Sequence, residues 1–493
     1  MSYIRVLVTG AVVALMSVGV AVSAEIPEDH ALIEGPFNSP MDVTTACLEC
    51  HEDASMEVMA TSHWKWELEQ DVPGKGKISR GKKNSVNNFC ISITGNWPRC
   101  TSCHIGYGWK DGKFDFSDPT RVDCLACHDT TGKYFKAKDA PAGSGMPPGF
   151  TGNKKFDANP YDLLEMAQKT AKPSRANCLN CHANGGGGNN VKHGDIDKSL
   201  YQPTEATDIH MAKDGNNFDC QTCHVTKEHQ ITGNAAMVSP YGNNPVSCEE
   251  CHTDEPHKHT KINGTYNKHA KRVACQTCHI PYFAKKFGTK MEWDWSKAQS
   301  PKGLTKEQKV VKKHGHKVYI FKKGSFVYED KVMPTYAWYD GTSSYYSLGD
   351  KMNPGEVTKL NSPNGNKDDK NAKVAPFKMM KSVQPYDKKN KTIITPKLWG
   401  KKGDPDAYWV NFDWKKAAAA GMKANGLEFS GEVGFTNTVT YWPTNHMVSP
   451  AKKALKCVNC HGKKGRMDWK ALGYTDDPKR LAKIRRLKAR KSH

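Results

Sequence analysis

The amino-acid sequence predicts a mainly α-helical chain with extensive loops, little β structure and a thin core of apolar side chains. Only 37% of the 493 residues are hydrophobic, while 25% are charged. Helical periodicity is modest and is clearest at residues 161–170 and 414–424. Short cysteine-containing segments recur along the chain at uneven intervals, which argues against a simple repeat array. The 12 tryptophans nevertheless argue against intrinsic disorder.

The N-terminus has the pattern of a secretory signal peptide. Arg5 precedes an apolar run at residues 6–22, and the sequence Val22-Ser23-Ala24 supplies the cleavage pattern. We assign residues 1–24 to the signal peptide. An uncleaved anchor is the alternative, because the run is close to the shortest length that spans a bilayer. The mature chain is expected in the periplasm, with membrane association left open.

Sixteen of the 17 cysteines belong to eight Cys-x-x-Cys-His (CxxCH) motifs. Two cysteines three residues apart can form thioethers with the two vinyl groups of one haem, and the next histidine can bind the iron. Zinc sites pair two Cys-x-x-Cys units and do not require a histidine after each. The sequence therefore predicts eight covalently bound c-type haems and a multihaem cytochrome c fold whose core the haems supply. The motifs, first to eighth, are Cys47-Cys50-His51, Cys100-Cys103-His104, Cys124-Cys127-His128, Cys178-Cys181-His182, Cys220-Cys223-His224, Cys248-Cys251-His252, Cys275-Cys278-His279 and Cys457-Cys460-His461.

The net charge of +21 does not indicate a nucleic-acid partner. Each haem carries two propionates, so eight haems offset most of the surplus of lysine and arginine. We therefore expect no nucleic acid among the partners.

The spacing of the motifs divides the mature chain into four parts. Seven motifs lie in a haem-dense domain at residues 25–285, and a haem-free insertion follows at residues 286–445. The eighth motif belongs to residues 446–478. Residues 479–493 form a basic tail, which is either a short amphipathic helix that docks a redox partner or an anionic lipid surface, or a frayed, solvated end.

A low-spin haem needs a second axial ligand, and 12 of the 20 histidines lie outside the motifs. His259, His314, His316 and His493 lie in lysine-rich or terminal contexts and are expected at the surface. His229 and His257 follow a motif histidine so closely that each should serve a neighbouring haem. Eight candidates are one more than seven bis-histidine haems require, and the extra one is expected in a substrate pocket. The candidates are His30, His63, His193, His210, His229, His257, His269 and His446.

Cys90 is the one cysteine outside the motifs, ten residues before Cys100. It is either a buried apolar residue or a thiol beside the second haem that takes part in sulfur chemistry, as a thiolate or a transient mixed disulfide.

Eight motifs with a wide gap before the last resemble the octahaem tetrathionate reductases, octahaem cytochromes related to nitrite and hydroxylamine reductases. The resemblance extends over about residues 28–470 and stops before the basic tail. Its supporting segments are TSHWKW (61–66), VKHGDID (191–197), DIHM (208–211), CQTCHIPYFAK (275–285) and WDWSKA (293–298).

The resemblance implies seven bis-histidine haems and an active site at the second haem. A lysine amine binds the iron there in the family, so Lys192 would replace His104, with Cys90 nearby. Lys198 is the reserve candidate, because the family's acidic residue upstream of the lysine is Asn189 here. We expect His193 to point toward a different haem. The motif-side ligands would then be His51, Lys192, His128, His182, His224, His252, His279 and His461.

The resemblance also implies the activity of a periplasmic oxidoreductase that reduces tetrathionate, nitrite or hydroxylamine. Two alternatives are a non-catalytic electron conduit or filament with eight six-coordinate haems, and the oxidation of hydroxylamine. We expect a small anionic or small nitrogen substrate, a periplasmic or membrane electron donor, and an oligomer as an open alternative.

Overall fold

A computed structural model describes residues 25–72, 76–89, 92–134, 162–233, 246–257 and 263–491. The predicted signal peptide, Cys90, His259 and His493 lie outside the described residues. Among the described residues, no helix combines the length and the apolar composition that a bilayer crossing requires.

Each CxxCH motif lies on a short helix or at its end. Residues three apart share one face of a helix, so both cysteines of a motif lie on the same side. The described α-helices are α1 (Pro40–Leu48), α2 (Ala54–Ala60), α3 (Ser62–Lys65), α4 (Trp97–Cys100), α5 (Leu125–His128), α6 (Leu163–Gln168), α7 (Arg175–His182), α8 (Cys220–Cys223), α9 (Glu249–His252), α10 (Asn263–Ala270), α11 (Cys275–His279), α12 (Lys306–Lys309), α13 (Tyr408–Asn411), α14 (Trp414–Ala424), α15 (Cys457–His461) and α16 (Pro478–Lys491).

The prediction of little β structure is wrong, because residues 286–445 fold around a nine-stranded sheet. Its strands run in the order β11-β15-β13-β5-β8-β7-β6, and β9 and β14 also pair with β13. Strands β10 and β12 form a separate pair, as do β1 with β2 and β3 with β4. The strands are β1 (Leu68–Val72), β2 (Gly76–Arg80), β3 (Thr226–Lys227), β4 (Gln230–Ile231), β5 (Thr289–Asp294), β6 (Val310–Lys313), β7 (His316–Ile320), β8 (Gly324–Glu329), β9 (Thr335–Tyr339), β10 (Ser343–Tyr345), β11 (Thr358–Lys359), β12 (Asn361–Pro363), β13 (Lys373–Asp387), β14 (Thr392–Ile393) and β15 (Val433–Pro443).

The centre of the sheet is the antiparallel pair β13 and β15, in register from Phe377 opposite Pro443 to Asp387 opposite Val433. Strand β15 reads VGFTNTVTYWP and is rich in the β-branched and aromatic residues that favour strands. Strand β13 pairs with β15 and β5, which both lie far away in sequence, so a search for helical periodicity does not detect the sheet.

The sheet has a side-chain core of its own. The rings of Trp293 and Trp295 stack with centres 4.7 Å apart, and Trp442 is fully buried in the same cluster. Helix α14, which the alanine run predicts, packs here; a Cβ on Gly421 would overlap Thr395 O, so only glycine permits this close approach of the helix to the segment that follows β14. Haems are therefore not the core of residues 286–445.

Candidate haem and substrate site

Seven of the eight motif histidines face a histidine from outside the motifs. In each pair the two ring centres are 5.8–6.3 Å apart. Two metal–nitrogen bonds of about 2 Å each, together with the radii of two imidazole rings, separate the ring centres by about 6 Å. These gaps therefore fit an iron between the two histidines. The pairs are His51 with His30, His128 with His229, His182 with His63, His224 with His446, His252 with His210, His279 with His257 and His461 with His269.

Hydrogen bonds fix the protonation of many of these rings. His128 Nδ1 lies 2.9 Å from Ala171 O, and His461 Nδ1 lies 2.7 Å from Asp477 Oδ1. A proton on Nδ1 leaves a lone pair on Nε2, which is the arrangement that metal-binding histidines use. Bonds of the same kind join His30 to Thr170, His224 to Thr232, His229 to Glu57, His257 to Asn267, His269 to Thr265 and His446 to Asp195.

His104, in the second motif, has the opposite protonation. Its Nδ1 accepts the Gly106 N–H at 3.0 Å, so the proton of the neutral ring is on Nε2, which donates to Trp64 O at 2.6 Å. A nitrogen that carries a proton has no lone pair for a metal. The residue is 0% exposed, whereas every other motif histidine is at least partly exposed. Five aromatic rings enclose it with centres 4.7–5.9 Å away, those of Trp64, Trp66, Trp109, Phe114 and Phe116.

The side chain of Lys192 lies near the second motif. Both Lys82 and Lys192 lie close enough to Cys103 for their charges to act on its side chain. Burial and the charge of Lys82 lower the pKa of Lys192 to about 8. Lys192 Nζ lies 5.0 Å from the ring centre of Trp442. A metal ligand must be deprotonated, so these surroundings favour the form of Lys192 that can bind iron.

The glycines at 185–188 make room for Lys192. A Cβ on Gly185 would lie 3.0 Å from Lys192 Cδ, and Gly186 and Gly187 have φ of +74° and +94°, which side chains disfavour. Lys198, the reserve candidate, is exposed, and its N–H donates to Asn189 Oδ1 at 2.9 Å. Of the two lysines considered from the sequence, Lys192 rather than Lys198 therefore lies beside the second motif.

No motif histidine faces His193, and the expectation that it points toward a different haem stays a prediction; the charges of His182 and His446, from the fourth and fifth haem sites, act on its ring. The seven motif histidines other than His104 face other residues, while the His193 ring lies 5.2 Å from that of Trp442. Burial, together with the charge of Lys192, lowers the pKa of His193 well below its usual value. His193 and Lys192 thus share the Trp442 indole, and His193 is the eighth candidate histidine left over from the pairs.

Lys378 on β13 holds the backbone that carries Lys192. Its fully buried Nζ donates to Val191 O at 2.8 Å, to Lys192 O at 3.0 Å and to Thr289 Oγ1 at 2.6 Å. The Thr289 hydroxyl donates to Asn190 O at 2.5 Å and so can only accept from the amine. Three donated bonds use all three N–H groups of an ammonium. Burial lowers the pKa of Lys378 well below its usual value, and the charge of Asp195 opposes that shift.

Contacts between cysteines show which motifs are neighbours. The side chains of Cys103 and Cys181 are neighbours and join the second motif to the fourth. The other contacts make one path, first-third-fourth-fifth-sixth-seventh-eighth, to which the second motif attaches as a branch. The neighbouring pairs are Cys47 and Cys124, Cys127 and Cys178, Cys178 and Cys220, Cys223 and Cys251, Cys248 and Cys275, and Cys278 and Cys460.

A branched path of CxxCH motifs with paired histidines defines a multihaem c-type cytochrome. Comparison with known proteins places the chain in the same class. The bacterial cytochrome c family matches residues 290–464, and the cytochrome c554 and c-prime family matches residues 46–133 and 190–253. The crystal structure of octaheme cytochrome c from Shewanella oneidensis is 49% identical with a TM-score of 0.82, and the alignment covers 92% of this chain and 98% of that one.

This chain therefore belongs to the octahaem cytochromes c, and its resemblance to the octahaem tetrathionate reductase family is confirmed. It also resembles a protein of Archaeoglobus fulgidus described as uncharacterized, at 25% identity, in an alignment that covers 47% of this chain and 92% of the relative.

Three residues of the site escaped the sequence analysis. Lys378 had one detectable signal, a lone lysine within the apolar run APFKMM. Trp442 was noted only as one of many tryptophans, and Lys82 stands among other lysines, so neither carries a local signal. They come together through strand pairing and tertiary packing.

Proposed function

We propose that this octahaem cytochrome is a periplasmic reductase whose substrate site is the second haem, bound by Lys192 in place of His104. One observation carries the proposal: seven motif histidines face a second histidine, whereas His104 is protonated on Nε2 and enclosed by aromatic rings. Only this motif combines a histidine that cannot bind a metal with a neighbouring lysine amine.

The residues around the second motif favour a small anion. A bound haem supplies one-electron chemistry at an iron with an open coordination position. Lys192 would hold that iron, and the haem would supply electrons to a substrate bound beside it. Lys82, whose Nζ lies 3.9 Å from the Trp66 ring centre, adds a second positive charge near Cys103. Tetrathionate and nitrite are anions that such a site attracts, and hydroxylamine is the small nitrogen alternative.

A second candidate function is an electron conduit, and the continuous motif path favours it. The path runs from the first motif to the eighth without passing through the second. Electron transfer along this path would need only the seven haems of the other motifs, and the conduit function does not account for the haem of the second motif. We therefore place the conduit second.

The mass and the oxidised-state spectrum of the mature protein test the proposal together. We expect an intact mass in excess of the polypeptide by eight haems, seven low-spin bis-histidine signals in electron paramagnetic resonance, and one signal of a different type that changes on adding nitrite. A mass excess of seven haems or fewer contradicts the cofactor count. Eight bis-histidine signals in the paramagnetic resonance spectrum, none of which changes when nitrite is added, would favour the electron conduit.

Cys90 lies outside the described residues, and its role remains a prediction. The ring of its neighbour Phe89 lies 5.6 Å from that of Trp442, the indole shared by Lys192 and His193. We expect Cys90→Ser to lower tetrathionate turnover more than nitrite turnover, because only tetrathionate offers a sulfur–sulfur bond to a thiolate. The measurement is steady-state kinetics on both substrates. An equal loss on both would indicate a packing role.

A further inference from the structure

Helix α16 (Pro478–Lys491) is a strongly basic element exposed at the surface. Its described side chains include seven exposed lysines and arginines and no acidic residue. Ile484 is 39% exposed and Leu487 is 49% exposed, so part of its apolar surface is also uncovered. Such a surface has charge and apolar area available for a partner.

The helix begins beside the eighth motif. Asp477, which precedes it, accepts a hydrogen bond from His461 Nδ1 at 2.7 Å and another from Lys479 N–H at 2.9 Å. The motif itself reaches the surface, with Cys457 exposed and Val458 71% exposed. One carboxylate therefore joins the axial histidine of the eighth motif to the first turn of the basic helix.

The two ends of the motif path differ in charge. At the first motif, Glu49, Glu52 and Asp53 are exposed around His51. At the eighth motif five exposed neighbours are basic, namely Lys452, Lys453, Lys456, Lys463 and Lys464, against one exposed acid, Asp468. An acidic protein is therefore repelled at one end of the path and attracted at the other.

We propose that helix α16 and the eighth motif form the docking surface for a small acidic electron-carrier protein. At each encounter the reduced carrier loses one electron and this chain gains one. This inference rests on the proposed function only in that a reductase needs an electron donor; a conduit would use the same surface. An anionic membrane is a poorer fit, because Arg480 and Lys488 lie on the same arc of the helix as Leu481, Ile484 and Leu487, and the helix has no aromatic residue.

A triple charge reversal, Lys483→Glu with Arg486→Glu and Arg490→Glu, tests the proposal. The probe is a reduced acidic flavodoxin, and the readouts are its association rate with the full-length holoprotein at low and high ionic strength and the rate of haem reduction. We expect the association rate at low ionic strength to fall about tenfold or more, because electrostatic steering contributes at least that factor. The difference should shrink at high salt, which screens exposed charges. Glutamate is a good helix former, so the helix should persist.

The matched control reverses three exposed lysines on the hairpin of β6 and β7, Lys312, Lys313 and Lys317, with the same change in net charge. It should bind flavodoxin nearly as the wild type does. Equal loss in both variants, or loss in neither, overturns the proposal. A second outcome also overturns the proposal. In it, the wild type but not the α16 variant co-sediments with phosphatidylglycerol vesicles, while both proteins associate with flavodoxin at the same rate. Nitrite turnover with reduced methyl viologen should be the same in all three proteins; if none shows turnover, the proposed function fails while the binding result still decides this inference.

Discussion

Lys192→Ala is expected to lower reductase activity by about a hundredfold or more while all eight haems stay attached. Covalent attachment depends on the cysteines of the motif, which the change does not touch. Under the proposed assignment the change removes the iron ligand itself, and even the loss of an outer partner of a metal ligand costs about 10–100-fold. Turnover of tetrathionate and nitrite and the intact mass of the holoprotein are the measurements.

The matched control is His104→Gln. A glutamine amide can still donate a hydrogen bond to Trp64 O, so the aromatic enclosure should hold. We expect the spectrum of the second haem to remain nearly that of the wild type. The assignment of Lys192 is wrong if His104→Gln converts a low-spin haem to high spin, or if Lys192→Ala retains both activity and spectrum.

Lys378→Met is expected to lower activity by about tenfold to a hundredfold, although Lys378 is not an iron ligand. The change leaves the carbonyls of Val191 and Lys192 without their buried donor, which costs about 1–3 kcal/mol of stability. The backbone of Lys192 is then free to shift, and a displacement of about 1 Å near a reacting centre costs about a hundredfold in rate. The measurement is the electron paramagnetic resonance signal of the second haem alongside kcat.

Two further variants separate positioning from a general loss of stability. Thr289→Val removes one acceptor of Lys378 and keeps the shape, so it should change the same signal less strongly. Lys381→Met alters an exposed lysine on the same strand and should change nothing. If Lys378→Met lowers the melting temperature but leaves the signal of the second haem unaltered, Lys378 has a structural role only.

The sequence predicted the haem motifs because their chemistry is local: two cysteines and a histidine must lie within five residues. It also identified the histidines that face the motif histidines, since few others were available. It could not predict that His446 lies opposite His224, because that contact depends on the path of the chain through the sheet. The sheet itself was missed for the same reason, as β13 and β15 become strands by pairing with each other.

The glycine at 106 has a consequence for reading sequences of this kind. All eight motifs have the same CxxCH pattern. In the second motif, however, the Gly106 amide donates to His104 Nδ1, so the ring proton is on Nε2 rather than on Nδ1. A Cβ at Gly106 would lie 2.5 Å from the His104 ring, so a larger residue would push the ring off that amide. If the second haem is the substrate site, as we propose, then the residue that distinguishes its motif from the other seven is Gly106, which lies outside the CxxCH signature.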